Sequence, residues 1–296
     1  MASFDFEVYN SAMKHLGFGY GLVQPEPSEK LHPGQCGYID EGGRWRPLVD
    51  LTDNKTLEAN GYTPMDPIQA CAPEYPSWDP IFTSDMNVDE CELDLEASSL
   101  VAAGLPIDAS ALVKYSTTTD LGAILMCDEI ICYNCYDHKD PFRNWVKENA
   151  LKLVSEHPCL KKSGVYIATS TYSSSSIHIN VWQDPKKEIS LGFKAGVTGI
   201  GMVGPKGTWI RGSKAHGWKH YTEGGQKVMF FGGVKVRFPW WKMLSKNKTE
   251  EEPQGNWRGE GNVFYVETDT EILEAQEEIL GESPDDEREQ DDEEEM

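Results

Sequence analysis

Apolar residues recur at spacings of three and four over residues 3–16, placing Phe6, Tyr9, Met13 and Leu16 on one face. That spacing predicts a short amphipathic helix with Ser3 as its N-cap, and the GFGYG run (17–21) ends it. Period-two patterning then takes over. GQCGYID, the turn residues EGG (41–43) and RWRPLVDL predict a β-hairpin. Residues 58–96 are rich in Pro and Asp/Glu with little periodicity, which predicts an irregular acidic insert. The stretch 111–136, ALVKYSTTTDLGAILMCDEIICYNCY, is rich in β-branched and aromatic residues and predicts strand. DPFRNWVKENALKLVSEHPCL is the clearest helix. Asp140 stands as N-cap and Pro141 at the first helical position. Phe142, Trp145, Val146, Leu151 and Leu153 form its apolar face, and His157-Pro158 closes it.

The run GVYIATSTYSSSSIHINVW (164–182) carries no acidic or basic residue other than a histidine and alternates like a strand pair, with Ser173–Ser176 as its turn or a flexible continuation. EISLGFKAGV, GTWIRGS and KVMFFGGVKVRF predict three further strands within 188–238, separated by glycine-rich turns. NVFYVET (262–268) predicts a last strand, followed by a short polar helix and the tail SPDDEREQDDEEEM. That tail has too few apolar residues to fold and too much like charge to collapse. The expected architecture is α+β: a twisted antiparallel sheet flanked by helices over 1–270, and an acidic, disordered tail over 271–296.

Charge changes the picture because it is segregated. Residues 1–138 hold 6 Lys/Arg against 23 Asp/Glu, and residues 139–248 hold 19 against 6, a local net of +13. Residues 269–296 hold 1 against 15, a net of -14. A basic block of this size attracts phosphate-bearing surfaces, and the acidic flanks can neutralise it within one molecule; clustered charge is also what a mixed solvated surface carries. No apolar run reaches the roughly 18 residues of a membrane-spanning helix. The first residues lack the basic and apolar regions of a secretory signal. The seven cysteines (36, 71, 91, 127, 132, 135, 159) are therefore read as reduced thiols in a cytosolic protein. The N-x-T sequons at Asn54 and Asn247 are read as chance.

Catalytic signatures are missing: there is no G-x-S-x-G, no H-E-x-x-H and no Walker motif, so a non-enzymatic protein without a cofactor is expected. GIGMVG (199–204) matches G-x-G-x-x-G, but Pro205, Gly207 and Trp209 follow where a dinucleotide site needs a helix, so it reads as a hairpin tip. Cys127, Cys132, Cys135 and His138 have the residue types of a tetrahedral zinc site, yet free cysteines are more often small buried hydrophobes, and no metal is expected. KVRFPWWKM (235–243) interleaves Lys235, Arg237 and Lys242 with Phe238, Trp240 and Trp241. Tryptophan favours the lipid headgroup boundary and the cations favour anionic headgroups. The same interleaving also suits stacking on single-stranded bases, or a strand end with half-buried tryptophans.

ENALKLVSEHPCLKKSGVYIATSTYSSSSIHINVW resembles the gasdermin pore-forming domain, in which a helix ends in an HP-x-L-K corner and leads into paired strands of the membrane-inserting region. The first helix, the hairpin GQCGYIDEGGRWRPLVDLTD, the strand GQKVMFFGGVKVRF and the closing strand GNVFYVETDTEI follow in the matching order. The resemblance spans roughly 1–45 and 110–270, and the short acidic tail is similar to that of fungal members. The acidity of residues 1–138 and the 58–96 insert depart from the family. The resemblance implies a cytosolic protein that moves to a cellular membrane on activation by a protease or partner protein. There it binds anionic lipid, oligomerises into a β-barrel and causes lytic cell death, with no nucleic-acid partner. Lipid contact is then expected at Lys14, Arg44, Arg46, Lys235, Arg237, Trp240, Trp241 and Lys242, with the acidic tail shielding the basic segment. The alternative is a nucleic-acid or protein binding module that uses the basic-aromatic surface of 139–248.

Overall fold

The computed structural model describes residues 6–92, 111–119, 121–184, 187–195, 207–211, 217–238, 244–245, 263–267 and 271–281. Where a single domain over 1–270 was expected, the chain forms two compact units: residues 1–16, 74–133 and 173–227 in one, and 17–73, 134–172 and 228–296 in the other. The architecture is α+β, and every strand pair whose register is described is antiparallel.

The second unit is built on a nine-stranded sheet. Its main path runs β15 (Leu244–Ser245), β17 (Glu271–Leu280), β14 (Lys227–Arg237), β9 (Val165–Ser174), β2 (Gln35–Ile39) and β3 (Trp45–Asp50). Three strands join from the side: β1 (Tyr20–Pro27) on β14, β16 (Val263–Glu267) on β17 and β8 (Cys132–Cys135) on β9. The expected hairpin at 35–51 is β2–β3, with a bulge at Cys36/Gly37. In β14 the paired glycines have a steric reason. Gly233 has φ +146°, and a Cβ there would lie 2.0 Å from the Ile167 carbonyl oxygen, a separation no side chain tolerates.

One face of this sheet is covered by α2 (Asn54–Ala59) and α3 (Asp140–Glu156), packed on Cys36, Val49, Ile167, Val234 and Val236. Phe142, Trp145, Val146, Ala150, Leu153 and Val154 of α3 point into this core. Two expectations for α3 are corrected. Lys139 occupies the N-cap position and Asp140 opens the helix, and Leu151 is 47% exposed because it falls outside the buried arc. The base of the acidic insert is ordered by α3: the Trp145 indole donates to the Thr63 carbonyl at 2.7 Å, and the Asn149 side chain accepts from the Thr63 amide at 3.0 Å. A short helix, α4 (Leu160–Ser163), leads into β9.

The expected disordered tail begins too early and the expected polar helix is absent. Glu271–Leu280 is a ten-residue strand in register with β14, from Gly233↔Leu280 to Arg237↔Gln276, and with β16, from Val263↔Gln276 to Glu267↔Ile272. Ala275 and Glu277 face the core, so the strand's two-residue period survives its high charge. The remainder of that tail lies outside the described residues, as do the GIGMVG run and Ser3.

The first unit holds α1 (Phe6–Met13), continued by a 3₁₀ turn over Lys14–Leu16, and two four-stranded sheets. One sheet is ordered β13 (Trp218–Tyr221), β10 (Ile177–Trp182), β7 (Gly122–Cys127), β4 (Ile81–Phe82). The other is ordered β12 (Gly207–Arg211), β11 (Glu188–Ala195), β6 (Ala111–Thr117), β5 (Met86–Glu92). Strands β4 and β5 come from the insert that was expected to be irregular, and β13 was not foreseen. The stretch 111–136, expected as strand, holds three: β6, β7 and β8. The run 164–182 does not form a strand pair: β9 and β10 belong to different sheets, because the chain breaks pairing at Ser175–Ser176.

Candidate functional site

The two sheets of the first unit are the halves of one folded ribbon. The β10–β7 pairing runs from Ile177↔Cys127 to Trp182↔Gly122, and the β11–β6 pairing from Glu188↔Ser116 to Phe193↔Ala111. Between Trp182↔Gly122 and Glu188↔Ser116 both chains advance six positions, so the register is the same on either side of the bend. The outer strands differ. From Phe82↔Ile124 to Met86↔Thr117 the outer chain advances four positions and the inner seven. From Asn180↔Trp218 to Leu191↔Arg211 the inner chain advances eleven and the outer seven.

Side-chain parity follows the register. Odd positions on the central strands carry Val113, Tyr115, Ala123 and Leu125 on one chain and Ile177, Ile179, Val181, Ile189 and Leu191 on the other. Even positions carry Lys114, Ser116, His178, Asn180, Glu188 and Ser190, with Leu112, Ile124, Met126 and Trp182 as apolar exceptions. Ile124, Met126 and Trp182 are core residues of the folded unit, buried against Val113, Tyr115, Ile189 and Leu191 from the other half. Gly122 allows this packing, since a Cβ there would lie 2.4 Å from the Trp182 indole. Tyr9 of α1 is fully buried beside Cys127 and Tyr221, and burial raises its phenol above the usual range.

A polar network sits on the even face and was not singled out by sequence. His178, 3% exposed, is paired across strands with His220, their Nδ1 atoms 2.7 Å apart. Its Nε2 lies 2.7 Å from Asp128 Oδ2 and 3.2 Å from Ser176 Oγ. The only signal available was the alternation that puts His178 and Asn180 on one side of an apolar strand.

In the second unit, strand alternation sorts the expected cations. Trp45, Tyr166 and Phe231 share one face of the sheet, with Tyr20 stacked on Phe231 at 5.4 Å and Trp45 edge-on to it at 5.3 Å. Lys235 and Arg237 have the parity of Phe231, and the Lys235 ammonium lies 4.8 Å over the Tyr166 ring, a cation–π contact. Arg46 points the other way, paired with Tyr38 across β2–β3, and its guanidinium donates to Asp40 at 2.7 Å. Arg44 is exposed at the hairpin turn. Glu26 lies near Lys30, Arg44 and Arg46, yet burial outweighs their pull and holds its carboxyl above the usual range. Lys14 is exposed in the first unit. Trp240, Trp241 and Lys242 lie outside the described residues.

Acidic side chains from β17 engage the basic segment. Arg237 pairs with Glu278 at 3.0 Å. Glu277, its side chain 2% exposed, pairs with Arg143 and, at 3.3 Å, with Lys147 on α3. Among the described residues no group of three or more His, Cys, Asp or Glu is arranged to hold a metal ion. No helix of the described residues is long and apolar enough to cross a membrane.

No protein-family model and no curated protein matches the chain. Among solved structures it is similar to a bacterial gasdermin from Bradyrhizobium tropiciagri, at 11% identity over 75% of this chain and 83% of that one, with a TM-score of 0.30. That neighbour is bacterial, whereas the resemblance in the tail pointed to fungal members.

Proposed function

We propose that this chain forms pores in membranes bearing anionic lipid, assembling several copies into a closed β-barrel whose leakage lyses the cell. The observation that carries this reading is the equal register of the central ribbon on the two sides of its bend. Singly, β6, β7, β10 and β11 are 7, 6, 6 and 8 residues long. A tilted membrane strand needs about 9–11 residues, so no half spans alone. Joined through the bend, residues 111–127 and 177–195 are long enough, and they need not slip past one another.

Straightening puts the odd positions, Ile177, Ile179, Val181, Ile189 and Leu191 among them, on one apolar face, as a lipid-facing strand requires. It exchanges the packing between the two halves, and the burial of α1, for contact with lipid. An open ribbon edge in hydrocarbon leaves backbone groups unpaired, so copies must pair edge to edge and close. Contact with headgroups falls to Lys14, Arg44, Lys235 and Arg237, and to Trp240, Trp241 and Lys242, whereas Arg46, on the opposite face of its sheet, is held by Asp40. In the resting cytosolic form, Glu277 and Glu278 compete with lipid phosphate for Arg143, Lys147 and Arg237. The acidic residues 282–296 add to that shielding, and a protease or partner that removes or displaces them weakens it.

Dye release from vesicles rich in anionic phospholipid tests the proposal, comparing the full chain with one ending at Gly281. Leakage that requires anionic lipid and rises on truncation supports it. Leakage from both alike keeps the pore and removes 282–296 as its restraint. Silence from both, with the proteins folded, refutes it; salt-sensitive retardation of an oligonucleotide then points to a nucleic-acid binding module. In vesicle-bound protein, amides between Thr117 and Gly122 and between Trp182 and Glu188 should gain hydrogen-exchange protection. Unchanged exchange there during leakage rules out the straightened ribbon.

A further inference from the structure

Cys71 and Cys135 face one another across a short antiparallel contact. Ala70 bridges Tyr136, and the Cys71 amide donates to the Cys135 carbonyl at 2.9 Å. Their sulfurs are 2.7 Å apart, and the Cys71 thiol donates to Asp137 Oδ1 at 2.8 Å. Both cysteines are half-buried. We propose that this pair is an oxidation site, closed to a disulfide by a hydroperoxide-class oxidant. The inference does not depend on pore formation.

Geometry favours this pair over Cys132 with Cys135. The sulfurs stand within about 0.7 Å of an S–S bond length, and directly opposed antiparallel residues have Cα separations of about 4.5–5.5 Å, inside the disulfide range. Cys132 and Cys135 form the C-x-x-C motif, but both lie on β8. Three positions along a strand is a rise of about 10 Å with side chains on opposite faces, so they cannot join while β8 is intact.

The chemistry balances. Burial first, and then the bonds to Asp137 and Cys135, raise the Cys71 thiol; the Cys71 proton is directed at Asp137 Oδ1, which leaves Cys135 as the sulfur that meets the oxidant. Cys135 takes the distal oxygen of the hydroperoxide, becoming a sulfenic acid and releasing an alcohol, or water from hydrogen peroxide. Cys71 then attacks that sulfur, and its proton is relayed by Asp137 to the departing hydroxide, which leaves as water. Two thiols have lost two electrons and two protons to one peroxide. The new bond joins residues 64 positions apart and takes β4, β5, β6, β7 and β8 into one covalent ring.

The test uses the reduced full chain and hydrogen peroxide. Remaining thiols are capped with N-ethylmaleimide and the protein is peptide-mapped without reduction. The expected result is a linked pair of peptides holding Cys71 and Cys135, with both residues uncapped and a mass loss of two hydrogens. Cys132→Ser should leave this link unchanged, while Cys71→Ser and Cys135→Ser should each abolish it. A link from Cys132 to Cys135, or full capping of Cys71 and Cys135 after oxidation of the other cysteines, overturns the proposal. Mapping of the unsubstituted chain decides the matter even if a variant fails to fold, and neither result bears on dye release.

Discussion

Replacing Glu277 with alanine removes the carboxylate that β17 presents to α3. Glu277 has a side chain 2% exposed, whereas Arg143 and Lys147 keep 24% and 34% of theirs in solvent. Two limits bracket the cost. Exposed pairs contribute about 0–1 kcal/mol, and removing one partner of a fully buried pair costs about 3–5 kcal/mol. Here the cations can recover water, and Arg143 keeps Asp140 at 3.0 Å. The loss should fall between the limits, at about 2 kcal/mol, with a fall in melting midpoint of roughly 4–8 °C. Urea unfolding followed by circular dichroism measures the loss, and a double-mutant cycle with Arg143→Ala isolates the pair. A loss below about 0.5 kcal/mol, with no coupling to Arg143, would refute the claim that this contact clamps the strand.

Gly233→Ala should be among the most damaging small substitutions, at about 2 kcal/mol or more by thermal melting, because the added Cβ meets the Ile167 carbonyl oxygen at 2.0 Å. Leu151→Ala should change stability by no more than about 0.5 kcal/mol, being 47% exposed, while Phe142→Ala on the same helix should cost about 3–5 kcal/mol. Burial pushes Asp40 up, but bonds from the Arg44 and Gly42 amides and from Arg46 outweigh it and hold the carboxyl below its usual range. Stability from that depression is present above the unfolded aspartate value of about 3.9 and is lost as pH falls through the lower folded value. Asp40→Asn should therefore flatten the acid limb of a urea-midpoint titration, and an unchanged limb would contradict the assignment.

Local patterning made much of this fold legible. The first helix, the hairpin at 35–51 and the long helix follow from period and capping residues, and β14 and β16 from their β-branched and aromatic content. β17 escaped because EILEAQEEIL puts a glutamate on the core side, and only the cations of α3, distant in sequence, make that tolerable. Two strands of the insert escaped because Ile81–Phe82 is too short to show a period and MNVDECE is half acidic. Parity could have separated Arg46 from Lys235 and Arg237, but it required knowing that Trp45 and Phe231 share a face. The ribbon's register was not legible at all, since pairing partners are a property of the fold rather than of either strand.

Equal advance through the bend has a consequence for inheritance. A residue inserted between Thr117 and Gly122 alone would put the two halves of the ribbon one position out of step, so that a straightened ribbon would turn opposite faces on either side of it. A matching insertion between Trp182 and Glu188 would restore the ladder. These two connections should therefore vary in length together among descendants of this chain, as a single hereditary unit. The connections between β4 and β5 and between β12 and β13, already unequal to their neighbours, have freedom to drift.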